Sequence, residues 1–427
     1  MSGPSRGKGS PPTGPGNTSE TSFHYSSLSP GWTRLLRLLP HKGSHAPVEC
    51  QIFDYPLQEL GDGSHLYEAL SYVWGDPGYR RSILINNHEV LITDNLHTAL
   101  VHLRNRFLDR VLWMDAVCIN QQDLSEKVEQ VQLMAEIYSK ASRVIVWLGD
   151  AQDNGDQALE EIRLAAAGAL TEPALSKSAE QAILALLQRP WFERIWVLQE
   201  VAAARNILVR CGCTEIDGYT FSAGLMSKEF ERLEGNLLAI QDLVHTVLDL
   251  MSRAGFRSRR MSRSTGRSSL RIRPLPELIQ MFHARKATMR HDKVFALLGM
   301  STDDPAVAGL SLSYEMPWHT LTKQLVLFLF GSEMLVKTWP EREMALIKSK
   351  GCVLGMITSV TTRDLLNKQD IVLTLADGPS VSRPQSQWCL PGSAKSVQTG
   401  DLLYVLCGSS TPIIVRPCKD FFSVILN

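Results

Sequence analysis

An α/β fold with a parallel sheet at its centre is what this sequence predicts, and three apolar runs carry the prediction. Tyr67-Glu-Ala-Leu-Ser-Tyr-Val-Trp-Gly-Asp76, Leu112-Trp-Met-Asp-Ala-Val-Cys-Ile-Asn-Gln121 and Val144-Ile-Val-Trp-Leu-Gly-Asp150 each read as a buried strand that stops at small or polar residues. Continuous apolar strands separated by helical stretches imply a sheet covered on both faces, since a half-solvated strand would alternate apolar with polar. Ligands of such sheets bind beyond the carboxyl ends of the strands. Gly75, Asp76, Asn120, Gln121, Gly149 and Asp150 are therefore expected along that edge.

The other elements follow in chain order. Residues 1–30 are rich in Gly, Pro and Ser and lack the apolar stretch of a signal peptide, so a disordered tail is expected. Ser82 to Thr93 reads as a hairpin turning at Asn86-Asn87, because Asn tolerates positive φ. Asp94 is placed to cap a helix over 95–107, with Leu96, Ala99, Leu100, Leu103 and Phe107 at helical spacing. Asp123-Leu-Ser-Glu126 has the spacing of a capping box, and its helix presents Val131, Met134, Ile137 and Tyr138. Helices near 156–170 and 178–187, a helix from Pro190 to Ala204 and a fourth strand over 206–211 complete a first unit spanning 31–212, with its core at 67–201.

A helical region over 213–349 comes next. It is interrupted near 255–273, where arginines crowd among Ser and Gly and no acid falls between Met251 and Pro276. A solvated, disordered insertion is the expectation, because nucleic-acid binding by such a segment draws on interleaved aromatics that are missing here. Beyond 350, β-type runs starting at Cys352, Asp370, Asp401 and Thr411 predict a small, mainly β unit over 350–427.

Composition narrows the function classes. Lys plus Arg equals Asp plus Glu at 44 each over 427 residues, so overall charge makes no case for nucleic acid or anionic membrane. The apolar run Leu325–Phe330 is far short of the ~20 residues that span a bilayer. Eight cysteines include no Cys-x-x-Cys pair, and several lie in apolar runs, which favours buried free thiols in a soluble, cytoplasmic protein. Cys211-Gly-Cys213 has no second ligand pair at metal spacing, so no metal is expected. P-loop, zincin and nucleophile-elbow signatures are missing, and Cys118 reads as a core thiol.

Candidate chemistry centres on Glu200. On a helical wheel Trp191, Ile195, Leu198 and Ala202 share one stripe, while Glu200 falls on the other side, one turn after Trp196. That side faces either solvent or a cleft; in a cleft, a carboxylate against an indole has a raised pKa and serves as acid, base or acceptor. Ser71, Gly75, Asp115 and Asn120 are placed at strand ends where a ligand would bind, and Trp74 and Trp196 where a ring could stack, whereas Trp113 and Trp147 lie inside apolar runs as core. Asp115, flanked by apolar residues, needs either a structural partner such as Arg194 or a ligand.

The same blocks carry a resemblance. The two Trp-bearing strands, the helix from Glu126 to Tyr138, Arg189-Pro-Trp-Phe-Glu-Arg-Ile-Trp-Val-Leu-Gln-Glu200 and Asp292-Lys-Val-Phe-Ala-Leu-Leu-Gly299 resemble, in order, the heterokaryon incompatibility (HET) domain of filamentous fungi, with Leu35-Leu-Arg-Leu-Leu39 upstream. The resemblance implies a role in non-self recognition, in which contact with an incompatible partner triggers programmed cell death and the domain is the effector. HET domains are in turn distantly similar to TIR domains, which implies a flavodoxin-like fold and, for many TIR domains, cleavage of the nicotinamide bond of NAD by a glutamate in a Trp-Cys-x-x-Glu segment. Trp196-Val-Leu-Gln-Glu200 has that spacing, with Val197 in place of Cys, and Leu70-Ser71-Tyr72 resembles the first TIR strand. On this basis Glu200 is the catalytic candidate, NAD enters as substrate with no cofactor bound, and a protein partner of the incompatibility or NLR type and self-association are expected. The competing expectation is a non-catalytic module that signals by assembly. Set against the family pattern, the last residues, Ser423 to Asn427, imply a shortened β unit with an exposed strand edge.

Overall fold

The computed structural model describes residues 23–427 apart from 42, 44–45, 58–64, 169–175, 228–240, 253–261, 265–266, 364–367, 377–384, 392–396, 410 and 427. The strands of its larger sheet are β1 (Trp32–Leu38), β2 (Glu49–Pro56), β3 (His65–Tyr72), β4 (Arg80–Ile85), β5 (His88–Thr93), β6 (Arg110–Trp113), β7 (Ala141–Trp147), β8 (Ile207–Cys211) and β9 (Thr214–Asp217). The helices are α1 (Asp94–Leu103), α2 (Asp115–Cys118), α3 (Leu124–Lys140), α4 (Gly155–Ala166), α5 (Lys177–Leu187), α6 (Trp196–Ala203), α7 (Gly218–Leu225), α8 (Gln241–Ser252), α9 (Leu275–Phe282), α10 (Asp292–Leu298) and α11 (Trp318–Phe330).

The sheet order is β5-β4-β2-β1-β6-β3-β7-β8-β9. Its centre is parallel as expected: β6, β3, β7 and β8 run the same way. The whole sheet is mixed, because hairpins β1–β2, β4–β5 and β8–β9 extend it and a hairpin needs only a tight turn where a parallel neighbour needs a crossover. Asn86 and Asn87 take φ of 49° and 67° in the predicted turn.

Several boundaries move for local reasons. The second apolar run is not one strand: β6 ends at Trp113, and α2 is a single turn with Asp115 at its start, where a carboxylate meets free backbone N–H groups. Helix α1 stops at Leu103, since Arg104 is extended and Phe107, counted on its apolar stripe, is 85% exposed. Asp123 caps α3 by accepting from the N–H groups of Ser125 and Glu126. Glu126 does not complete a capping box; its carboxylate accepts from the Asn120 N–H and from Arg34. The predicted 190–204 helix is two pieces, a 3-10 turn over Pro190–Glu193 and then α6, separated where the Ile195 N–H bonds to the Lys286 carbonyl.

Two segments expected to be disordered are partly docked. The tail expected over 1–30 lies outside the described residues as far as 22, but Tyr25 donates to the Val117 carbonyl at 2.9 Å and packs edge-on to Phe23. Within 255–273, Ser262–Ser264 pairs with Arg267–Ser269, and the N–H groups of Leu270 and Ile272 bond to the carbonyls of Gly299 and Met300. Leu270, which packs against both cores, gives this end of the basic stretch a reason to dock that its arginines obscure, while Ile272 stays exposed.

The main core gathers β1, β3, β6, β7 and β8 with α1, α3, α4 and α5, and a second core joins α6, α9 and α10 around Leu198, Leu278 and Phe295. Beyond it lie a hairpin (Leu335–Trp339 with Arg342–Lys348) and the expected β unit, six antiparallel strands between Gly351 and Leu426. Val326 and Phe330 of α11 pack on Ile413 and Val415 of that unit. The strand Phe422–Leu426 forms one edge of the sheet. Cys50, Cys118 and Cys211 are buried free thiols, but Cys213, Cys352, Cys389, Cys407 and Cys418 are exposed, Cys352 and Cys389 on C-terminal strands and the other three just beyond strand ends. Among the described residues no helix is long and apolar enough to cross a membrane.

Candidate functional site

A cavity of about 480 Å³ opens beyond the carboxyl ends of β3 and β6. The residues after β3 supply Trp74 and Gly75; Gly75 has φ +83°, and a Cβ there would stand 3.2 Å from that of Asn95. The start of α2 supplies Asp115, which accepts from the Trp74 indole at 2.8 Å and lies at the cavity wall, so it serves as partner to a cleft residue. Arg194 and Trp196 come from the break between the 3-10 turn and α6, and Arg194 donates to the Tyr72 carbonyl.

The far wall is missing from the sequence reading. Lys286, Ala287, Thr288, Met289, Asp292 and Tyr314 close the cavity from the segment around α10. Asp292 is 8% exposed and accepts from the Tyr314 hydroxyl at 2.8 Å. Burial raises its pKa, while Tyr314, Trp196, Lys127 and Arg194 act to hold its charge. The Lys127 ammonium stands 4.8 Å over the Tyr314 ring. Asp292 opens an apolar block in the sequence, and an acid heading Val-Phe-Ala-Leu-Leu was the signal available for it.

Glu200 is neither solvated nor in this cavity. It is 3% exposed, because α6 is covered by α3, α8 and α10 and buries both sides of its wheel. The Ser71 hydroxyl donates to its carboxylate and accepts from the Trp191 indole at 2.9 Å. Burial pushes its pKa up to about 7, against the lowering influence of Arg194 and Ser71. Ser71 is likewise buried beneath the cleft, and Asn120 caps the turn before α3, accepting from the Gln122 N–H, while Gln121 takes its place on the wall. Of the seven residues singled out from sequence, the structure brings Trp74, Gly75, Asp115 and Trp196 to one cavity. It sets Glu200 and Ser71 below the cavity and Asn120 to the side.

The family model of the heterokaryon incompatibility protein (HET) matches residues 67–200, from β3 to α6. Over that span the chain is similar to the HET family. The Neurospora crassa protein named heterokaryon incompatibility protein 6, OR allele, is 30% identical over 227 aligned positions, covering 42% of this chain and 33% of that relative. The chain therefore spans about a third of the relative's length. No solved structure matches it. The HET match ends at Glu200, so Lys286, Asp292 and Tyr314 complete the cleft from outside the matched domain.

Proposed function

We propose that this chain is a HET-domain protein that acts in heterokaryon incompatibility as a cell-death effector, and that its cleft binds NAD. One observation supports the reading most: a single cavity presents the rings of Trp74, Trp196 and Tyr314, the carboxylates of Asp115 and Asp292, and the cations Arg194, Lys127 and Lys286. NAD has the complementary pattern, a planar cationic ring joined through ribose to phosphates. The volume falls in the range of about 300–1,000 Å³ of small-molecule clefts. The resemblance of Trp196-Val-Leu-Gln-Glu200 to the TIR segment extends the reading to hydrolysis, in which the bond from nicotinamide nitrogen to ribose breaks, water adds at the anomeric carbon, and NAD plus water give ADP-ribose, nicotinamide and a proton, with a carboxylate stabilising the oxocarbenium-like centre. Association with a second copy or an incompatibility partner is the proposed trigger. It would have to open the Ser71–Glu200 contact for Glu200 to reach a ribose.

The burial of Glu200 favours a second reading, in which the domain binds nucleotide and signals by assembly without cleaving it. The test is the full chain at high concentration with NAD, following tryptophan fluorescence for binding and nicotinamide release for turnover, beside Glu200→Gln. Release that the variant loses supports hydrolysis; binding without release supports the assembly module. A chain that neither binds nor cleaves NAD rejects the cleft assignment.

A further inference from the structure

We infer that Asp292, Tyr314 and Trp196 form a subsite for a planar organic cation, built jointly by the HET domain and the segment beyond it. The inference deepens the NAD reading by naming the group that faces the ring. Three observations carry it. Asp292 is nearly dehydrated, lines the cavity, and has its carboxylate fixed by the Tyr314 hydroxyl at 2.8 Å. The rings of Trp196 and Tyr314 line the same cavity beside it. The Lys127 ammonium already occupies the Tyr314 face at 4.8 Å, so this wall holds a positive charge in the free protein. Cations are attracted to ring faces by the ring quadrupole, and more so where water is excluded. A buried carboxylate adds an opposite charge beside those rings, and opposite charges attract more strongly where water is excluded. A ligand with a cationic ring adds a charge partner to this carboxylate beside Lys127 and Arg194, and competes for the Tyr314 face with the Lys127 ammonium, which also donates to Met289 Sδ at 3.7 Å.

The probe is 1-methylnicotinamide, the ring cation without ribose or phosphate, titrated into the full-length protein and compared with uncharged nicotinamide. The cation should bind at least about tenfold more tightly than the neutral ring, the equivalent of one favourable charge contact. Asp292→Asn should erase that preference. Tyr314→Phe, which keeps the ring and removes the hydroxyl tether, should reduce it in part. Equal affinity for charged and uncharged rings in the wild-type chain overturns the inference, even if Asp292→Asn proves unable to fold. A preference that survives in a well-folded Asp292→Asn also overturns it. Binding of NAD is read separately: a chain that takes 1-methylnicotinamide but not NAD retains the subsite and loses the NAD assignment, and one that takes NAD without discriminating the two rings does the reverse.

Discussion

The Ser71 hydroxyl donates its hydrogen bond to the buried Glu200 carboxylate. The contact ties the end of β3 to α6 under the floor of the cleft. Trp191 donates to the same hydroxyl, so one oxygen joins three segments. This arrangement makes Glu200 part of the fabric beneath the site and gives its substitution consequences for stability.

The sign of the pH effect follows from the direction of the shift. Glu200 has its pKa raised from 4.5 to about 7, so the protonated form suits the fold. Its favourable contribution is present below about pH 4.5 and is lost as pH rises through about 7, with a magnitude on the order of 3 kcal/mol. Glu200→Gln should therefore be more stable than the parent at pH 8 and closer to it at pH 5 by urea denaturation. Parallel pH profiles for the two proteins would rule this out. Glu200→Ala, in contrast, removes packed atoms and a hydrogen-bond partner and should lower the melting temperature.

Ser71→Ala leaves both the Trp191 indole N–H and the Glu200 carboxylate short of a partner in a dry interior. A loss of about 1–3 kcal/mol is expected from urea midpoints. The same variant should raise the Glu200 pKa further, because the Ser71 hydrogen bond lowers it. A neutral effect on stability would indicate that water replaces the hydroxyl.

Gly75→Ala tests the cleft edge. With φ at +83° and Asn95 at 3.2 Å from the new methyl group, the substitution should cost about 1–2 kcal/mol and shift Trp74. Fluorescence of Trp74 and the melting temperature together check it; an unchanged spectrum and midpoint would contradict the assignment of this turn.

Arg34 is 1% exposed and pairs with Glu126 at 2.7 Å. Removing one partner leaves a buried charge, so Arg34→Met should destabilise by about 3–5 kcal/mol, and the double variant Arg34→Met/Glu126→Gln should recover part of it. A double variant no better than the single one would show that the cation packs rather than pairs.

Much of this architecture was legible because burial writes itself into apolar runs. Central strands β3 and β7, the Asn86-Asn87 turn and the Asp123 cap all follow from local chemistry. What local pattern could not give was partnership across the chain. Arg34 and Arg37 interrupt the apolar run of β1, and Arg34 becomes a core residue through distant partners: Glu126 in the first turn of α3, Asp54 and the Cys118 carbonyl. Met114-Asp115 read as continuing strand, although an acid at that point starts a turn of helix. The wheel of α6 showed which residues oppose each other but not that three other helices would cover both sides. The far wall of the cleft was invisible for the same reason, since Asp292 and Tyr314 reach Trp196 only through the tertiary packing around α10.

The shared wall also sets a schedule. Tyr314 follows Tyr72, the last residue of β3, by roughly 240 residues, and at about 5–20 residues per second a ribosome needs on the order of 10–50 s to reach it. For most of that interval, from the synthesis of Asp115 onwards, the nascent chain carries Trp74 and Asp115 without the complete wall of Asp292 and Tyr314 opposite them. The cleft is in this way completed late in synthesis, by residues that lie beyond the matched span.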